Sequence, residues 1–261
     1  MTSLPDPPVR VEIARGVATL TLDSPHNRNA LSGALIGQLL DALAAAADDD
    51  AVRVIVLGHT GPVFCSGADL KETAAAVAGG QLPAARLGDV LAAVVECPKP
   101  VLAKVAGPAR AGGIGLVAAA DIAVCVDDAT FAFSEVRLGV IPAVISATVL
   151  PRLGSRAAAE LLLTGSTFDG RRAAEVGLVT AAVPADRLDE TVSGYCAALV
   201  RAAPGALAGT KSLLRRRPAA TLSDELAELT EVSLGFFLSD EGREGVAAFW
   251  EKRDPAWVPA G

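Results

Sequence analysis

The chain has 261 residues, of which 51% are hydrophobic, 20% charged and 4% aromatic, and its formal net charge is −7 at pH 7. This length allows a substantial core, in one large domain or in a domain with an appendage. The negative charge argues against nucleic-acid binding, which needs net or clustered positive charge. No apolar run is long enough to predict a membrane span, since Asp121 interrupts the longest candidate. The four cysteines lie far apart without a C-x-x-C pair, which predicts reduced thiols in a cytoplasmic protein.

The first part of the chain alternates strand and helix patterns. Residues 9–23 alternate apolar and polar positions around an Arg-Gly pair, which predicts a β-hairpin. Ser32 can cap a helix that carries a stripe of leucine and isoleucine side chains. Residues 52–57 then read as a fully apolar strand, and a loop over residues 58–69 leads into an alanine-rich helix.

The same order recurs further along the chain. A strand, a loop, a buried helix and two more strands are predicted at residues 100–106, 107–113, 114–120, 121–126 and 130–133. Strand, crossover helix and strand in succession are typical of an α/β fold. Helices dominate from residue 155 onward, and the last begins near Ser239. We therefore predict an α/β core over residues 1–200 and a helical C-terminal region over residues 201–261.

Two loops rich in small residues each follow a buried strand and precede a helix. The first is FCSGADL, residues 64–70, and the second is GPARAGGIG, residues 107–115. Amides at a helix N-terminus carry partial positive charge, and small residues let a ligand approach the backbone closely. One amide from each loop can form a two-donor oxyanion hole for developing enolate charge. Either loop alone is a weak signal, because glycine turns in α/β proteins are more often structural.

Taken together, the two loops resemble those of the enoyl-CoA hydratase/isomerase (crotonase) family. FCSGADL is similar to the first loop of the family and AGGIGLVAAADIAV to the second. FAFSEVRLGVIP resembles the catalytic-acid segment, EGREGVAAFWEKRDP the C-terminal helix, and LLLTGSTFDGRRAAEVGLV the segment between them. The resemblance covers about residues 11–257.

The resemblance implies a fold, a substrate class and an assembly. The fold is a crotonase-like spiral of ββα units with a C-terminal helical trimerisation region, and the assembly is a homotrimer or homohexamer. The substrate is an acyl-CoA thioester, and no metal or redox cofactor is implied, since CoA is part of the substrate.

The resemblance also implies roles for individual residues. The oxyanion donors are the amides of Ala68 and Gly112, and Glu135 is the catalytic acid. The residues that contact the CoA ester are Arg28, Ala30, Ser66, Ala68, Asp69, Leu70, Gly112 and Gly113. Because apolar residues flank Glu135, we expect it to be half-buried with a raised pKa.

The chain departs from the family at one catalytic position. Family hydratases commonly place two glutamates across the substrate; the second matches Glu135, but the first falls on Gly115. Two carboxylates can divide the work, one activating water and the other protonating the α-carbon. A single carboxylate can relay a proton between C2 and C4, as a Δ3,Δ2-enoyl-CoA isomerase requires. Some hydratase-like branches of the family lack the first glutamate and carry a segment like VIPAVIS, residues 140–146 here. We therefore expect hydration of a trans-2-enoyl-CoA, with isomerisation as the alternative.

Two other classes of protein stay open. Residues 113–118 satisfy the G-x-G-x-x-A pattern of an NAD-binding oxidoreductase, although this leaves FCSGADL unexplained. A non-catalytic acyl-CoA binder also fits, because Gly115 is consistent with loss of activity. The histidines, His26 and His59, have no matched partner in the sequence, and we interpret them as solvated loop residues. We interpret Cys65 as a small buried side chain.

Overall fold

The computed structural model describes residues 7–79, 84–216 and 218–258. The strands in these ranges are β1 (Val9–Ala14), β2 (Val17–Leu22), β3 (Val54–His59), β4 (Val101–Val105), β5 (Ala109–Arg110), β6 (Ile122–Val126), β7 (Thr130–Ala132), β8 (Phe168–Asp169) and β9 (Ala181–Val183). The helices are α1 (Gly33–Asp48), α2 (Leu70–Ala78), α3 (Ala84–Glu96), α4 (Gly112–Ala119), α5 (Ala143–Val149), α6 (Ser155–Thr164), α7 (Gly170–Glu175), α8 (Leu188–Val200), α9 (Pro204–Arg215), α10 (Leu222–Phe237) and α11 (Asp240–Glu251).

The strands form two sheets. The larger has the order β1-β2-β3-β4-β6-β9, and the smaller has the order β5-β7-β8. The first pair of the larger sheet is antiparallel, and its other pairs are parallel. The parallel strands β3 and β4 are mostly apolar and, apart from His59 and Lys104, buried, as expected for strands with both faces covered.

Local sequence signals account for the first elements. The predicted hairpin is confirmed, because Arg15 and Gly16 both adopt positive φ at the turn between β1 and β2. The predicted cap is also confirmed, since the Ser32 hydroxyl accepts a hydrogen bond from the Leu35 amide, 3.2 Å away. Helix α1 then buries one apolar face, which includes Leu35 and Leu39, in the core.

The second predicted loop, residues 107–113, is more ordered than the sequence indicates. It contains the two-residue strand β5, and α4 already begins at Gly112. Strand β5 forms because β7, which follows it in the chain, supplies a parallel partner. A partner outside the local sequence is not visible in apolar periodicity. Within the described ranges, no helix combines the length and apolar character needed to cross a bilayer.

A buried ion pair holds α9 against the core. The Lys211 ammonium lies 2.7 Å from the Asp121 carboxylate, and their side chains are 5% and 22% exposed. Lys211 also donates to the carbonyl oxygens of Val94 and Lys99, at 3.2 and 3.1 Å. The same carboxylate accepts from the Val101 amide at 2.8 Å. These bonds tie α9 to the start of β4, while the division of the chain at residue 200 stays a proposal.

Replacing Lys211 by methionine should destabilise the protein by about 3 kcal/mol, because it leaves the Asp121 carboxylate partly buried without its cation. Urea unfolding measures this change. The control is Lys71→Met at an exposed position of α2, where we expect a change within about 0.5 kcal/mol. Equal stability of the two variants would contradict the role of the ion pair.

Candidate active site

Three segments that are distant in sequence lie side by side in one parallel arrangement. Cys65 forms an isolated parallel bridge with Ala109. Strand β5 in turn pairs in parallel with β7, and Ala109 lies opposite Phe131. Because all three segments run in the same direction, the residues that follow them emerge at one common edge.

Backbone hydrogen bonds join these segments closely. The Phe64 amide donates to the Pro108 carbonyl at 3.0 Å, and the Arg110 amide donates to the Cys65 carbonyl at 2.9 Å. Cys65 is fully buried, which raises the pKa of its thiol to about 12, so the prediction of a small buried side chain is confirmed. The first and second loops are therefore held together by their main chains.

The Ala68 and Gly112 amides lie just beyond this pairing, at the common edge. Ala68 follows Cys65 by three positions, as Gly112 follows Ala109. A Cβ atom built on Gly67 would lie 3.6 Å from the Gly112 nitrogen, so the two loops are in contact at this point. Among the residues that the structure describes, no acceptor takes a hydrogen bond from either amide. Two adjacent N–H donors are thus available to a ligand.

Close approach of the two loops depends on glycine at two positions. Gly67 has a φ of +91°, and a Cβ there would lie 3.0 Å from the Ala111 Cβ. A Cβ on Gly113 would lie 2.7 Å from both the Cβ and the carbonyl oxygen of Cys65. Ala111 itself has a φ of +46°, a sparsely populated conformation that turns the chain from β5 into α4.

The segment before α1 lies against the first loop. The Ser66 amide donates to the Arg28 carbonyl at 3.1 Å, and the Leu31 amide donates to the Gly67 carbonyl at 2.8 Å. Ala30 is buried beside this contact, whereas the Arg28 side chain is exposed. The structure therefore brings Arg28, Ala30 and Ser66 to the same region as the two free amides.

Asn29 organises this segment, and the sequence analysis did not single it out. Its side chain is fully buried, accepts from the Ser24 amide at 2.8 Å, and donates to the Thr60 and Val63 carbonyls at 3.0 and 2.8 Å. Its φ is +53°, a conformation that asparagine tolerates better than most residues. Its neighbours Arg28 and Ala30 form no periodic pattern that marks it as buried.

Asp69 and Leu70 occupy different surroundings. The Asp69 carboxylate accepts from the amides of Lys71 and Glu72, at 2.9 and 3.2 Å, so it caps α2. The Leu70 side chain is 65% exposed at the start of that helix. The hydrogen bonds of the Asp69 carboxylate do not involve Gly112 or Gly113, which lie in the second loop.

Glu135 lies three residues beyond the end of β7, in a short 3₁₀ helix, Ser134–Leu138. Its side chain is half-buried, and one carboxylate oxygen, Oε2, is buried without a hydrogen-bond partner among the described residues. Burial raises the pKa of this carboxyl group above its usual value. A buried, unpaired carboxylate oxygen is costly, so it marks a place where a ligand group or water completes the bonding.

The position of the missing glutamate is filled by another side chain. A Cβ built on Gly115 would lie 2.6 Å from the Cγ2 atom of Ile145 and 3.4 Å from the Cδ1 atom of Leu91. Ile145 lies on α5 and is 2% exposed. A glutamate at position 115 would therefore displace Ile145, so the lack of a second carboxylate is built into the packing of α4 against α5.

The glycine pattern at residues 113–118 is not a phosphate-binding turn. Helix α4 already begins at Gly112, so Gly113 and Gly115 lie inside the helix. Their free faces are covered by Cys65 and Ile145. The backbone there is closed to a pyrophosphate, which removes the structural basis of the dinucleotide alternative.

Comparison with known proteins identifies the family and the fold. The model of the enoyl-CoA hydratase/isomerase family matches residues 12–259. A crystal structure of enoyl-CoA hydratase from Mycobacterium smegmatis is 34% identical, with a TM-score of 0.89 over 97% of this chain and 100% of that one. The structure of Pseudomonas aeruginosa AtuE is 36% identical, with a TM-score of 0.90 over 97% and 100% of the two chains. The mitochondrial enoyl-CoA hydratase domain-containing protein 3 of Danio rerio is 30% identical over 93% of this chain and 84% of its own length.

The architecture is thus the α/β crotonase fold, with mixed sheets and C-terminal helices. The chain belongs to the enoyl-CoA hydratase/isomerase (crotonase) family.

Because Ile145 fills the space beside Gly115, Gly115→Ala should destabilise the protein by about 1–3 kcal/mol through overpacking. In an Ile145→Ala background the same substitution should cost less, since the opposing methyl group is gone. Urea unfolding of the four proteins of this double-mutant cycle measures the coupling.

Gly194→Ala is the matched control, because Gly194 lies in α8 with open space around its Cα atom. Alanine there should leave stability equal or raise it by up to about 1 kcal/mol. Strict additivity of the Gly115 and Ile145 substitutions would contradict the packing account.

Proposed function

We propose that the protein adds water across the double bond of a trans-2-enoyl-CoA thioester. The observation that carries the proposal is the common edge, where two amides lie beside the segment that bears the half-buried Glu135. Neither amide, nor Oε2 of Glu135, has a hydrogen-bond partner among the described residues. In this proposal, the amides of Ala68 and Gly112 bind the thioester oxygen, and Glu135 is the catalytic acid and base.

The two amides would stabilise the negative charge that develops on the thioester oxygen during the reaction. When their N–H groups donate to the thioester oxygen, they draw electron density away from C3 of the enoyl group and stabilise the enolate that forms. One such donor is typically worth about 3 kcal/mol in the transition state. The N-terminus of α4 adds partial positive charge at Gly112.

Glu135 supports the proton transfers. As its carboxylate, it takes one proton from water while the oxygen bonds to C3, and the electron pair of the double bond moves to C2 and the thioester oxygen. The same carboxyl group then returns a proton to C2, which completes addition of water with no net change in the enzyme. A raised pKa makes the exchange easier in both directions near neutral pH.

The alternative reaction is isomerisation of a 3-enoyl-CoA to the conjugated 2-enoyl-CoA. The packing of Ile145 on Gly115 favours it, because an apolar wall offers no second group to hold water. One carboxylate would then take a proton from C2 and return it to C4, while the same amides stabilise the intermediate dienolate.

We also propose that the CoA portion lies along the segment that contains Arg28, Ala30 and Ser66, because the Arg28 and Ser66 backbones are bonded to each other beside the first loop. The CoA contacts of the first loop then extend to Asp69 and Leu70, and those of the second to Gly113. The helices α9 to α11 carry exposed apolar side chains, among them Phe237, Phe249 and Trp250. These support assembly as a homotrimer or homohexamer. Free, buried thiols at all four cysteines support a reducing compartment such as the cytoplasm.

Glu135→Gln should lower turnover by roughly 10²-fold or more, because the amide keeps the shape of the side chain but cannot exchange the proton. Binding of the acyl-CoA should be retained. Loss of the conjugated enoyl-thioester absorbance measures turnover, and calorimetric titration measures binding.

Glu96→Gln is the control, because Glu96 is exposed at the end of α3. Near-normal activity in the Glu135 variant would refute the single-acid mechanism. In the unsubstituted protein, kcat/KM should fall as the pH drops through the raised pKa of Glu135, since only the carboxylate accepts a proton from water.

The two reactions are separated by their substrates. We expect a trans-2-enoyl-CoA to lose its conjugated absorbance and a 3-enoyl-CoA to be left unconverted, across a panel of chain lengths. Gain of conjugation from the 3-enoyl ester, with no hydration, would replace hydratase by isomerase. Binding of CoA esters without either reaction would identify a non-catalytic binder.

A further inference from the structure

One histidine links the starting points of the two loops. His59 is the last residue of β3, from which the chain runs on to the first loop, and Ala106 lies between β4 and the second loop. The Nε2 atom of His59 accepts a hydrogen bond from the Ala106 amide at 3.1 Å. The interpretation of His59 as a solvated loop residue is wrong, since its side chain is half-buried and hydrogen-bonded.

The imidazole also contacts the buried core of the first loop. Its ring packs edge-on against Phe64, with centroids 5.5 Å apart and an interplanar angle of 81°. Phe64 is fully buried, and its amide donates to Pro108 in the second loop. One side chain therefore contacts the first loop at Phe64 and the residue that precedes the second loop, at the end of the backbone pairing opposite the free amides.

The hydrogen-bond pattern requires a neutral ring with the proton on Nδ1. Nε2 accepts from an amide and so carries no hydrogen, while Nδ1 lies 3.4 Å from the Thr60 carbonyl. Burial and the nearby Lys104 ammonium lower the pKa of His59, which favours the neutral form.

Charged groups lie on elements packed against β3, namely on β4, on α8 and in the segment after β2. Lys104 on β4 pairs at 2.5 Å with Asp189 of α8. Asp23, which follows β2, accepts from the Thr60 hydroxyl at 2.6 Å and pairs with Arg10. Both carboxylates have other partners, and no carboxylate among the described residues bonds to the imidazole.

We propose that His59 is a positioning residue, whose imidazole ties the first loop to the second and so fixes the separation of the Ala68 and Gly112 amides. The consequence for turnover rests on the proposed function of these amides as an oxyanion hole. Donors that are misplaced by a fraction of an ångström lose much of their preference for the transition state.

Two substitutions distinguish the effect of losing the hydrogen-bond acceptor from the effect of losing the ring. His59→Phe keeps a flat ring against Phe64 but removes the acceptor for the Ala106 amide. His59→Gln loses the ring but supplies a side-chain oxygen at similar reach. The two readouts are steady-state kinetics with an enoyl-CoA and amide hydrogen exchange of peptides that cover residues 60–69 and 107–113.

We expect His59→Phe to lower kcat about three- to tenfold at unchanged KM and to speed exchange in both loops by a similar factor, the range that one net hydrogen bond corresponds to. His59→Gln should stay within about twofold of the unsubstituted protein in both readouts. The proposal is overturned if the amides of the two loops exchange as slowly in His59→Phe as in the unsubstituted protein. It is also overturned if they exchange as fast in His59→Gln as in His59→Phe.

Hydrogen exchange also keeps this inference separate from the proposed function. If the unsubstituted protein converts neither class of enoyl-CoA, the proposed function fails, and exchange in the two loops alone decides the role of His59. If His59→Phe does not fold, as circular dichroism would reveal, His59→Gln decides. Slow exchange in that variant supports the tie, and fast exchange refutes it.

Discussion

Parallel backbone pairing between three short segments is the constraint on which the site depends. Cys65, Ala109 and Phe131 lie side by side, so the residues beyond them emerge at one edge. Main-chain pairing fixes positions more tightly than exposed side chains do, because few torsions remain free. The same pairing explains the small residues of both loops, since a side chain at Gly67 or Gly113 would push the segments apart.

The side chain that packs against α4 limits the reactions that the site can catalyse. Ile145 covers Gly115, so α4 presents an apolar wall at the position where the resemblance leads us to expect a carboxylate. Glu135 lies three residues beyond the end of β7, and its buried oxygen has no hydrogen-bond partner among the described residues. A site with two amides and one carboxylate suits reactions in which one group moves a proton and the backbone holds the negative charge.

Much of the fold follows from local sequence, and the site follows only in part. The hairpin around Arg15 and Gly16 and the helix capped by Ser32 depend on near neighbours, so periodicity and capping rules predict them. The resemblance located both loops and Glu135. The contacts of Asn29, His59 and Ile145 could not be predicted, because each depends on a partner that only the folded chain brings near. Asp69 is a different case. The resemblance assigned it to CoA binding, whereas the structure shows a local contact, in which its carboxylate caps α2.

The central claim is that the Ala68 and Gly112 amides bind the thioester oxygen. A crystal structure of the Glu135→Gln variant with an enoyl-CoA tests this most directly, because the substrate should bind there without turning over. The account predicts that the thioester oxygen lies about 2.7–3.2 Å from both nitrogen atoms, the range of N–H···O hydrogen bonds. A thioester oxygen bonded to neither amide, with the acyl chain bound elsewhere, would contradict it.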